Sequence, residues 1–302
     1  MLDISKLFSL IMSFITMITS LVGIASRQEW PDKIQDFNDK PSKEVVRVMS
    51  FNIRCTNVGK DSWEDRIGIV TETINKSNAD SVGVQEATTE WMETLDKELT
   101  KYAWVGVGRD DGKNQGEFSS IFYLKEKYNL IDSGTFWLSE TPETPSLGWD
   151  AGCNRVCTWV VLENKETKEQ YVHINSHFDH VGVKAREESV KLILAHADKF
   201  NDLPVVFTAD MNVVEGSENY VQMTSGCLKD TKYLTDDSMN YLTYHDTKPL
   251  SHRGDVIDYV MVNDKFNVLS YKVVTAGIDN RYVSDHFPVY ADIEIKKQNK
   301  TE

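Results

Sequence analysis

Carboxylate, carboxamide and imidazole side chains recur directly after short apolar runs of the sequence. The pattern occurs at six places, which carry Asn52, Glu86, His177 with Asp179, Asp210 with Asn212, Asp258, and Asp285 with His286. Oxygen ligands without a cluster of cysteines and histidines suit a hard cation such as Mg²⁺. Two histidines with carboxylates nearby suit acid–base chemistry on a water molecule.

Each of these residues alone has a simpler explanation. Asn and Asp at the end of a strand often cap the next helix or form a turn. A Glu after a strand is usually a solvated loop residue, and a single His beside an apolar run is usually structural. The number of such sites and their shared chemistry favour a functional interpretation.

The order of the motifs is specific. The segments FNIR (51–54), GVQEA (83–87), NSHFDH (175–180), TADMN (208–212), IDYV (257–260) and SDHFPV (284–289) resemble the endonuclease/exonuclease/phosphatase superfamily. Three further stretches, GRDDG (108–112), FWLSETPETPS (136–146) and GWDAG (148–152), resemble a bacterial-type subgroup of that superfamily near the deadenylase- and nocturnin-like nucleases. The resemblance covers about residues 45–295. It implies an α/β fold, a four-layer α/β sandwich in which two mixed β-sheets pack face to face with helices outside. It also implies an active site at one edge of the sheets.

The resemblance further implies a metal site. Glu86 resembles the principal Mg²⁺ ligand of the family, and Asn52 and Asp285 complete or support the site. One metal ion is the expected number, with two ions, or Mn²⁺ in place of Mg²⁺, as alternatives.

The same comparison assigns the proton chemistry. His286 resembles the histidine that activates the attacking water, and Asp258 resembles the carboxylate that orients it. A carboxylate on one ring nitrogen fixes the tautomer and leaves the other nitrogen basic. Asp255 is a second acid close by, but the IDYV context favours Asp258.

Substrate contacts are also implied by the resemblance. Asp210 and Asn212 correspond to the pair that positions the water and contacts the scissile phosphate, and His177 to the histidine that hydrogen-bonds a phosphate oxygen. Arg155 resembles an arginine that lies over the phosphate, and the alternative is an arginine at the surface end of a strand.

Strands and helices must alternate to position these residues. Apolar runs predict strands at 45–51, 81–84, 120–124, 158–162, 171–175, 205–208, 256–262 and 289–295. Helical spacing predicts helices at 63–77, around 91–99 and around 190–197. Segments rich in Gly, Pro and aromatic residues at 108–112, 136–146 and 148–152 are predicted to form loops around the site.

Composition restricts the class of protein and its partners. The 302 residues carry a formal net charge of −14, with 40% hydrophobic and 26% charged residues. These values are typical of a globular protein and exclude a disordered or coiled-coil chain. The acidic balance argues against a broad basic surface for long nucleic acid, although a nuclease can take its positive charge from a bound metal.

The amino-terminal segment 7–25 is apolar and uncharged, and it ends in small residues. We interpret 1–25 as a secretory signal peptide, with an uncleaved membrane anchor at 7–25 as the alternative. The predicted location is therefore exported: periplasmic, cell-surface or secreted. A polar linker (26–44), a catalytic domain (45–296) and a polar tail (297–302) are predicted to follow.

The four cysteines are Cys55, Cys153, Cys157 and Cys227. Their spacing is not that of a zinc site. Small buried hydrophobic residues and one disulfide are both compatible with an exported chain.

These observations predict a Mg²⁺-dependent phosphoesterase. A nuclease of the 3′–5′ exonuclease type is the nearest resemblance. The alternative is an exported phosphodiesterase or phosphatase that acts on small phosphorylated molecules or lipid head groups. The expected partner is a phosphate-ester substrate, which includes nucleic acids or nucleotides, and the chain is expected to be a monomer without stable membrane insertion once the signal is cleaved. A non-catalytic binding module is disfavoured because none of the six sites is degraded.

Overall fold

The computed structural model describes residues 37–56, 62–246, 255–275, 277–278 and 281–297. The predicted signal peptide or anchor at 1–25 lies outside these residues, as do most of the predicted linker and tail. All described residues belong to one compact unit. None of the helices formed by these residues combines the length and the apolar character needed to cross a membrane.

Strands and helices alternate along the chain, as the sequence predicts. The strands are β1 (Val46–Asn52), β2 (Ser81–Gln85), β3 (Tyr102–Val105), β4 (Ile121–Leu124), β5 (Tyr128–Trp137), β6 (Val156–Asn164), β7 (Gln170–His177), β8 (Val205–Asp210), β9 (Lys229–Asp230), β10 (Asp258–Val262), β11 (Phe266–Val273), β12 (Gly277–Ile278), β13 (Arg281–Tyr282) and β14 (Val289–Ile295). The α-helices are α1 (Trp63–Ser77), α2 (Thr89–Glu98), α3 (Val183–Ala197) and α4 (Glu218–Ser225).

Two six-stranded sheets form the centre of the fold. The first has the order β11-β14-β1-β2-β4-β3, the second β5-β6-β7-β8-β10-β9, and β12 pairs with β13. Both sheets are mixed, because β1 pairs with β2 and β7 with β8 in parallel, while their other strand pairs are antiparallel. The predicted four-layer α/β sandwich is confirmed.

The central strands are buried on both faces, as a sheet requires when a second sheet covers one face and helices cover the other. Between the sheets, Val48 and Val289 of the first sheet pack with Val160 of the second. On the outer faces, α1 and α2 cover the first sheet, and α3 and α4 cover the second. The apolar spacing in α1 places Val70 and Ile74 on the helix face that packs against the core.

Polar side chains also cross the gap between the two sheets. His173 on β7 contacts the Ser81 hydroxyl through Nδ1 and the Thr208 hydroxyl through Nε2, both at 2.8 Å. The Asn175 Oδ1 accepts hydrogen bonds from Thr208 Oγ1 at 2.9 Å and from Gln85 Nε2 at 2.7 Å. Burial lowers the pKa of His173 to about 3, so the ring is neutral. This network ties β2 of one sheet to β7 and β8 of the other.

Gly83 on β2 permits this close approach. A β-carbon at this position would lie 2.1 Å from Thr208 Oγ1 and 2.4 Å from Asn175 Oδ1. Any larger residue would therefore push the two sheets apart or break the network.

Several elements were not predicted from the sequence. They are the helix α4 and six strands: β3, β5, β9, β11, β12 and β13. The strand β5 lies at the edge of its sheet and is exposed over much of its length. Its apolar and polar residues therefore alternate only weakly. The loop predicted at 136–146 is wrong at its start, because Phe136 and Trp137 end β5.

Candidate active site

The residues singled out in the sequence meet at one edge of the sandwich. Asn52 ends β1 and Glu86 follows β2, on parallel neighbouring strands of the first sheet. His177 ends β7 and Asp210 ends β8, on a parallel pair of the second sheet. Parallel strands finish at the same edge, and the antiparallel β10 begins there with Asp258, opposite Asp210. The apolar runs therefore position each functional group through the direction of its strand.

The chain turns sharply where it leaves these strands. Arg54, Glu86 and Asn212 adopt positive φ angles of 60°, 64° and 47°. Such angles are uncommon for residues other than glycine, and they tend to cluster at functional sites. The turns direct the Glu86 and Asn212 side chains into a shared cavity.

His286 and Asp258 form a buried pair across the two sheets. His286 Nδ1 lies 2.8 Å from Asp258 Oδ2, and His286 Nε2 lies 3.7 Å from Asp210 Oδ2. Burial alone would lower the pKa of His286, but the negative charges of Asp258 and Asp210 outweigh it and raise the pKa to about 10. Asp255 is exposed and bonds to Tyr244 through the backbone. Asp258 is thus the acid that orients the imidazole.

Asn52 joins the carboxylates of Glu86 and Asp210. Its Nδ2 donates to Glu86 Oε1 at 3.0 Å and to Asp210 Oδ2 at 2.9 Å. Burial would raise the pKa of Glu86, but hydrogen bonds from the Asn52 amide and the Cys55 backbone N–H hold it below the usual value. Burial raises the pKa of Asp210 to about 7; the charge of His286 opposes this shift and that of Asp258 adds to it.

The donor set at this edge fits a hard divalent cation. Glu86, His177 and Asp210 offer ligand atoms that lie within 4.8 Å of one another. Oxygen atoms predominate, as Mg²⁺ requires. Asn52 Oδ1 accepts a hydrogen bond from the Arg54 backbone N–H at 2.9 Å, so the amide must rotate by a half-turn before its oxygen can face a cation. Asp285 lines the same cavity and pairs with Arg54 at 3.5 Å.

His177 and Asn212 lie on the other side of Asp210. Asn212 Nδ2 is 3.1 Å from His177 Nε2, which is 3.4 Å from Asp210 Oδ2. Burial and the nearby arginines lower the pKa of His177 well below its usual value, so the ring is neutral. When Nε2 accepts from Asn212, the ring hydrogen lies on Nδ1, which is 4.0 Å from Glu117 Oε2.

Arg155 is buried beside the cavity, with only 5% of its side chain exposed. This burial disagrees with the alternative of a surface arginine. Its Nε lies 3.5 Å from Asp179 Oδ2, and its Nη2 donates to His180 Nδ1 at 3.0 Å. Asp179, a strand-end candidate of the sequence, accepts backbone hydrogen bonds from Gly152, Val181 and Gly182, so its role is to fix these loops.

Sequence reasoning did not identify several residues of the site. A cavity of about 340 Å³ is lined by seven of the predicted residues, which are Glu86, Arg155, His177, Asp210, Asn212, Asp285 and His286. It is also lined by side chains that were not predicted, among them Cys55, Arg109, Glu117, Cys153, His180 and Tyr244. The segment 108–112 was predicted to be a loop around the site, but nothing in the sequence marked Arg109, within this loop, as a site residue. Glu117 follows a polar stretch that gives no signal. All four cysteines are free thiols.

Comparison with known proteins gives a consistent result. Residues 49–286 match the model of the endonuclease/exonuclease/phosphatase family. A crystal structure of a family protein from Bacteroides thetaiotaomicron is 34% identical, with a TM-score of 0.79, over 84% of this chain and 98% of that chain. A mannosyl-6-phosphatase of Bacteroides thetaiotaomicron is also 34% identical, with a TM-score of 0.78, over 82% of this chain and 99% of that chain.

More distant relatives share less of the sequence. The catalytic domain of human nocturnin with bound sulfate has the same fold, with a TM-score of 0.68 and 19% identity over 85% of this chain and 96% of that chain. An uncharacterized protein, L388, of Acanthamoeba polyphaga mimivirus is 26% identical over 159 residues, which are 50% of this chain. The chain spans 59% and 47% of the lengths of the two curated mimivirus relatives that it matches. The matched residues include every strand-end site described above, and the chain belongs to the endonuclease/exonuclease/phosphatase family of phosphoester hydrolases.

Proposed function

We propose that the chain is a Mg²⁺-dependent phosphoesterase that cleaves its substrate by attack of a water molecule activated at His286. The observation that carries this proposal is the buried His286–Asp258 pair, whose imidazole lies beside Asp210 and lines one cavity with Glu86. A base, its orienting acid and a set of cation ligands are the groups that phosphoryl transfer to water needs.

The residues have distinct roles in this proposal. Glu86, Asn52 and Asp285 would hold the cation, which would supply electrostatic stabilisation of the charge that develops on the phosphate oxygens. Asp258 keeps the hydrogen of His286 on Nδ1, so that Nε2 is free to take a proton from water. Asp210 and Asn212 position this water, and His177 hydrogen-bonds a phosphate oxygen.

The electrostatics of the site support a cation requirement. The pKa of His286 is raised to about 10 by Asp258 and Asp210, which outweigh burial, so the ring is protonated at neutral pH without further positive charge. A positive charge held by Glu86, Asn52 and Asp285 would offset the nearby carboxylates and bring the pKa of His286 closer to neutrality, where a general base is effective.

A small phosphorylated molecule is the substrate that these features favour. The cavity of about 340 Å³ is at the small end of ligand pockets. The net charge of −14 disfavours a long polyanion. The mannosyl-6-phosphatase is 34% identical, whereas the nocturnin domain, at 19%, supports the fold alone. The 3′–5′ exonuclease activity stays a prediction, as does action on lipid head groups.

The test uses purified protein and phosphate-ester reporters with and without Mg²⁺ or Mn²⁺. We expect hydrolysis to require the metal and to fall at least about 100-fold in Glu86→Ala and in His286→Ala. Glu93→Ala, an exposed acid on α2, is the matched control and should keep wild-type activity. Full activity of His286→Ala, or full activity in the presence of a chelator, would refute the mechanism.

The substrate class is tested in the same assay. Turnover of sugar phosphates with no turnover of RNA or DNA supports the small-molecule proposal. Turnover of single-stranded nucleic acid with no turnover of sugar phosphates would instead establish the nuclease hypothesis.

Export and oligomeric state are separate proposals. We propose that residues 1–25 direct export and that the mature chain acts as a monomer. Amino-terminal sequencing of the mature protein should show cleavage near Ala25, and light scattering should give the mass of one chain. An intact amino terminus on a membrane-bound protein would favour the anchor at 7–25.

A further inference from the structure

The cavity has a basic end that the proposed mechanism does not fully use. Arg109 and Arg155 both line it, and His177 connects this end to the acidic groups. His177 lies between Asp210, at 3.4 Å, and Glu117, at 4.0 Å.

Arg109 is held in a fixed position by the loop that carries it. Its backbone N–H donates to the Glu117 carbonyl at 3.1 Å, and its own carbonyl accepts from the Trp137 indole at 2.6 Å. Its guanidinium makes a two-point contact with the Glu117 carboxylate, at 2.7 and 3.1 Å. The loop, β5 and the guanidinium therefore form one rigid unit, unlike a surface arginine that moves freely in solvent.

Three donors in this region lack a partner. Within the described residues, Arg109 Nε, Arg155 Nη1 and His177 Nδ1 are buried and have no hydrogen-bond acceptor. Buried donors in folded proteins are nearly always satisfied, so that exceptions indicate a missing group. Arg109 is already paired with Glu117, and Arg155 lies beside Asp179. The three unsatisfied N–H groups, rather than a net positive charge, therefore indicate a bound acceptor such as a phosphate.

The charge of Arg155 is available to such an anion. Asp179 accepts three backbone hydrogen bonds of 2.7 to 3.1 Å, whereas Arg155 Nε approaches it only to 3.5 Å. The three backbone bonds all go to Oδ1, and Oδ2 makes this long contact with the Nε of Arg155. Asp179 thus holds Arg155 in place, while Nη1 of the guanidinium stays without an acceptor.

We propose that Arg109 and Arg155 form a subsite for a terminal phosphate group, and that Arg109 selects phosphomonoesters over phosphodiesters. This inference rests on the proposed phosphoesterase function and names its substrate class. A monoester carries up to two negative charges and three non-bridging oxygens, whereas a diester carries one charge and two such oxygens. The three unsatisfied donors match the three non-bridging oxygens of the monoester. A diester would place an ester substituent against one of these buried N–H groups and leave it without an acceptor, which is unfavourable.

The test compares p-nitrophenyl phosphate with bis(p-nitrophenyl) phosphate, which release the same product. We expect the wild type to have the higher kcat/KM for the monoester. Arg109→Gln should lower the monoester-to-diester ratio of kcat/KM by about 10- to 100-fold, the value of a charge-assisted hydrogen bond. The inhibition constant of inorganic phosphate should rise by a similar factor.

Two further variants separate recognition from folding. Arg109→Gln with Glu117→Gln removes both charges, so no buried acid is left unpaired, and the ratio should fall as in the single variant. Lys113→Gln removes one positive charge from an exposed position of the same loop and should leave the ratio within about twofold of wild type.

The outcomes are distinguishable. An unchanged ratio in the folded double variant, or a wild type that prefers the diester, would overturn the subsite and leave the proposed phosphoesterase function intact. Absence of hydrolysis of both reporters in the presence of Mg²⁺ would overturn the proposed function itself.

Discussion

The two ends of the same central strands carry buried charges that are arranged differently. At the start of β1, Arg47 Nε donates to Asp292 Oδ1 at 2.7 Å, and Asp80, just before β2, pairs with Lys40 at 2.8 Å and with Lys127. At the other end of these strands lie Asn52 and Glu86. At the first end, acidic and basic side chains pair with one another. The second end is the candidate active site.

The matched end satisfies its ions internally. Arg47 also donates to the Ser77 and Asn38 carbonyls, and Asp80 accepts from the Arg47 backbone N–H. At the candidate active site, among the described residues, His286 lies against Asp258 and Asp210, at 2.8 and 3.7 Å. The nearby arginines pair with other acids, Arg54 with Asp285 and Arg109 with Glu117. A balanced cluster can be structural, whereas an excess of buried acid indicates an external cation.

The largest effect should come from removing one charge of the balanced cluster at the start of β1. Arg47→Met leaves Asp292 buried without its partner and should lower the free energy of unfolding by about 3 to 5 kcal/mol. Denaturant unfolding measures this loss. Arg47→Met with Asp292→Leu removes both charges and should recover most of it. A loss below about 1 kcal/mol in the single variant would show that the pair is not structural.

Removing an acid at the other end should affect activity more than stability. Asp258→Asn leaves His286 without its orienting carboxylate and should reduce kcat/KM by about 100-fold or more. The free energy of unfolding should fall by less than in Arg47→Met, because Asp210, 3.7 Å from His286 Nε2, remains as a counter-charge. Asp255→Asn, an exposed acid three residues earlier, should remain fully active. A strongly destabilised Asp258→Asn would contradict the distinction between the two ends.

The excess of buried carboxylates at the candidate active site should also make the free energy of unfolding depend on pH. The pKa of Asp210 is raised from 3.8 to about 7 by burial, so the folded protein binds additional protons between these values. The free energy of unfolding should therefore fall as pH rises through this window. In metal-free protein, Asp210→Asn should become more stable than wild type near pH 8 and lose this advantage near pH 4. A stability difference that does not vary with pH would contradict the shift.

The smallest effect is stabilisation by the cation. Mg²⁺ at ten times its dissociation constant should stabilise the wild type by about 1.4 kcal/mol, seen as a rise in Tm. Glu86→Gln should show little of this rise, and Glu93→Gln should show all of it. Equal stabilisation of all three proteins would place the cation elsewhere.

Local patterns predicted the site residues that follow regular strands. Glu86 and Asp210 were found because an apolar run fixes the direction of its strand, and Asp258 because it begins one. Arg109 was not found, since its contact with Glu117 depends on the path of a loop. Arg47 and Asp292 are 245 residues apart, and only the folded sheet brings them together.

The candidate active site is divided between the two sheets. Asn52 ends a strand of the first sheet, and Glu86 and His286 lie in segments that adjoin its strands β2 and β14, whereas His177, Asp210 and Asp258 lie on strands of the second. Their separation is therefore set by the spacing of the sheets, which the contact of Gly83 with Thr208 and Asn175 fixes inside the core. A single methyl group at Gly83, shielded from solvent and substrate, would move the two halves of the catalytic machinery relative to each other. Turnover in this protein is thus sensitive to a position that no substrate can reach.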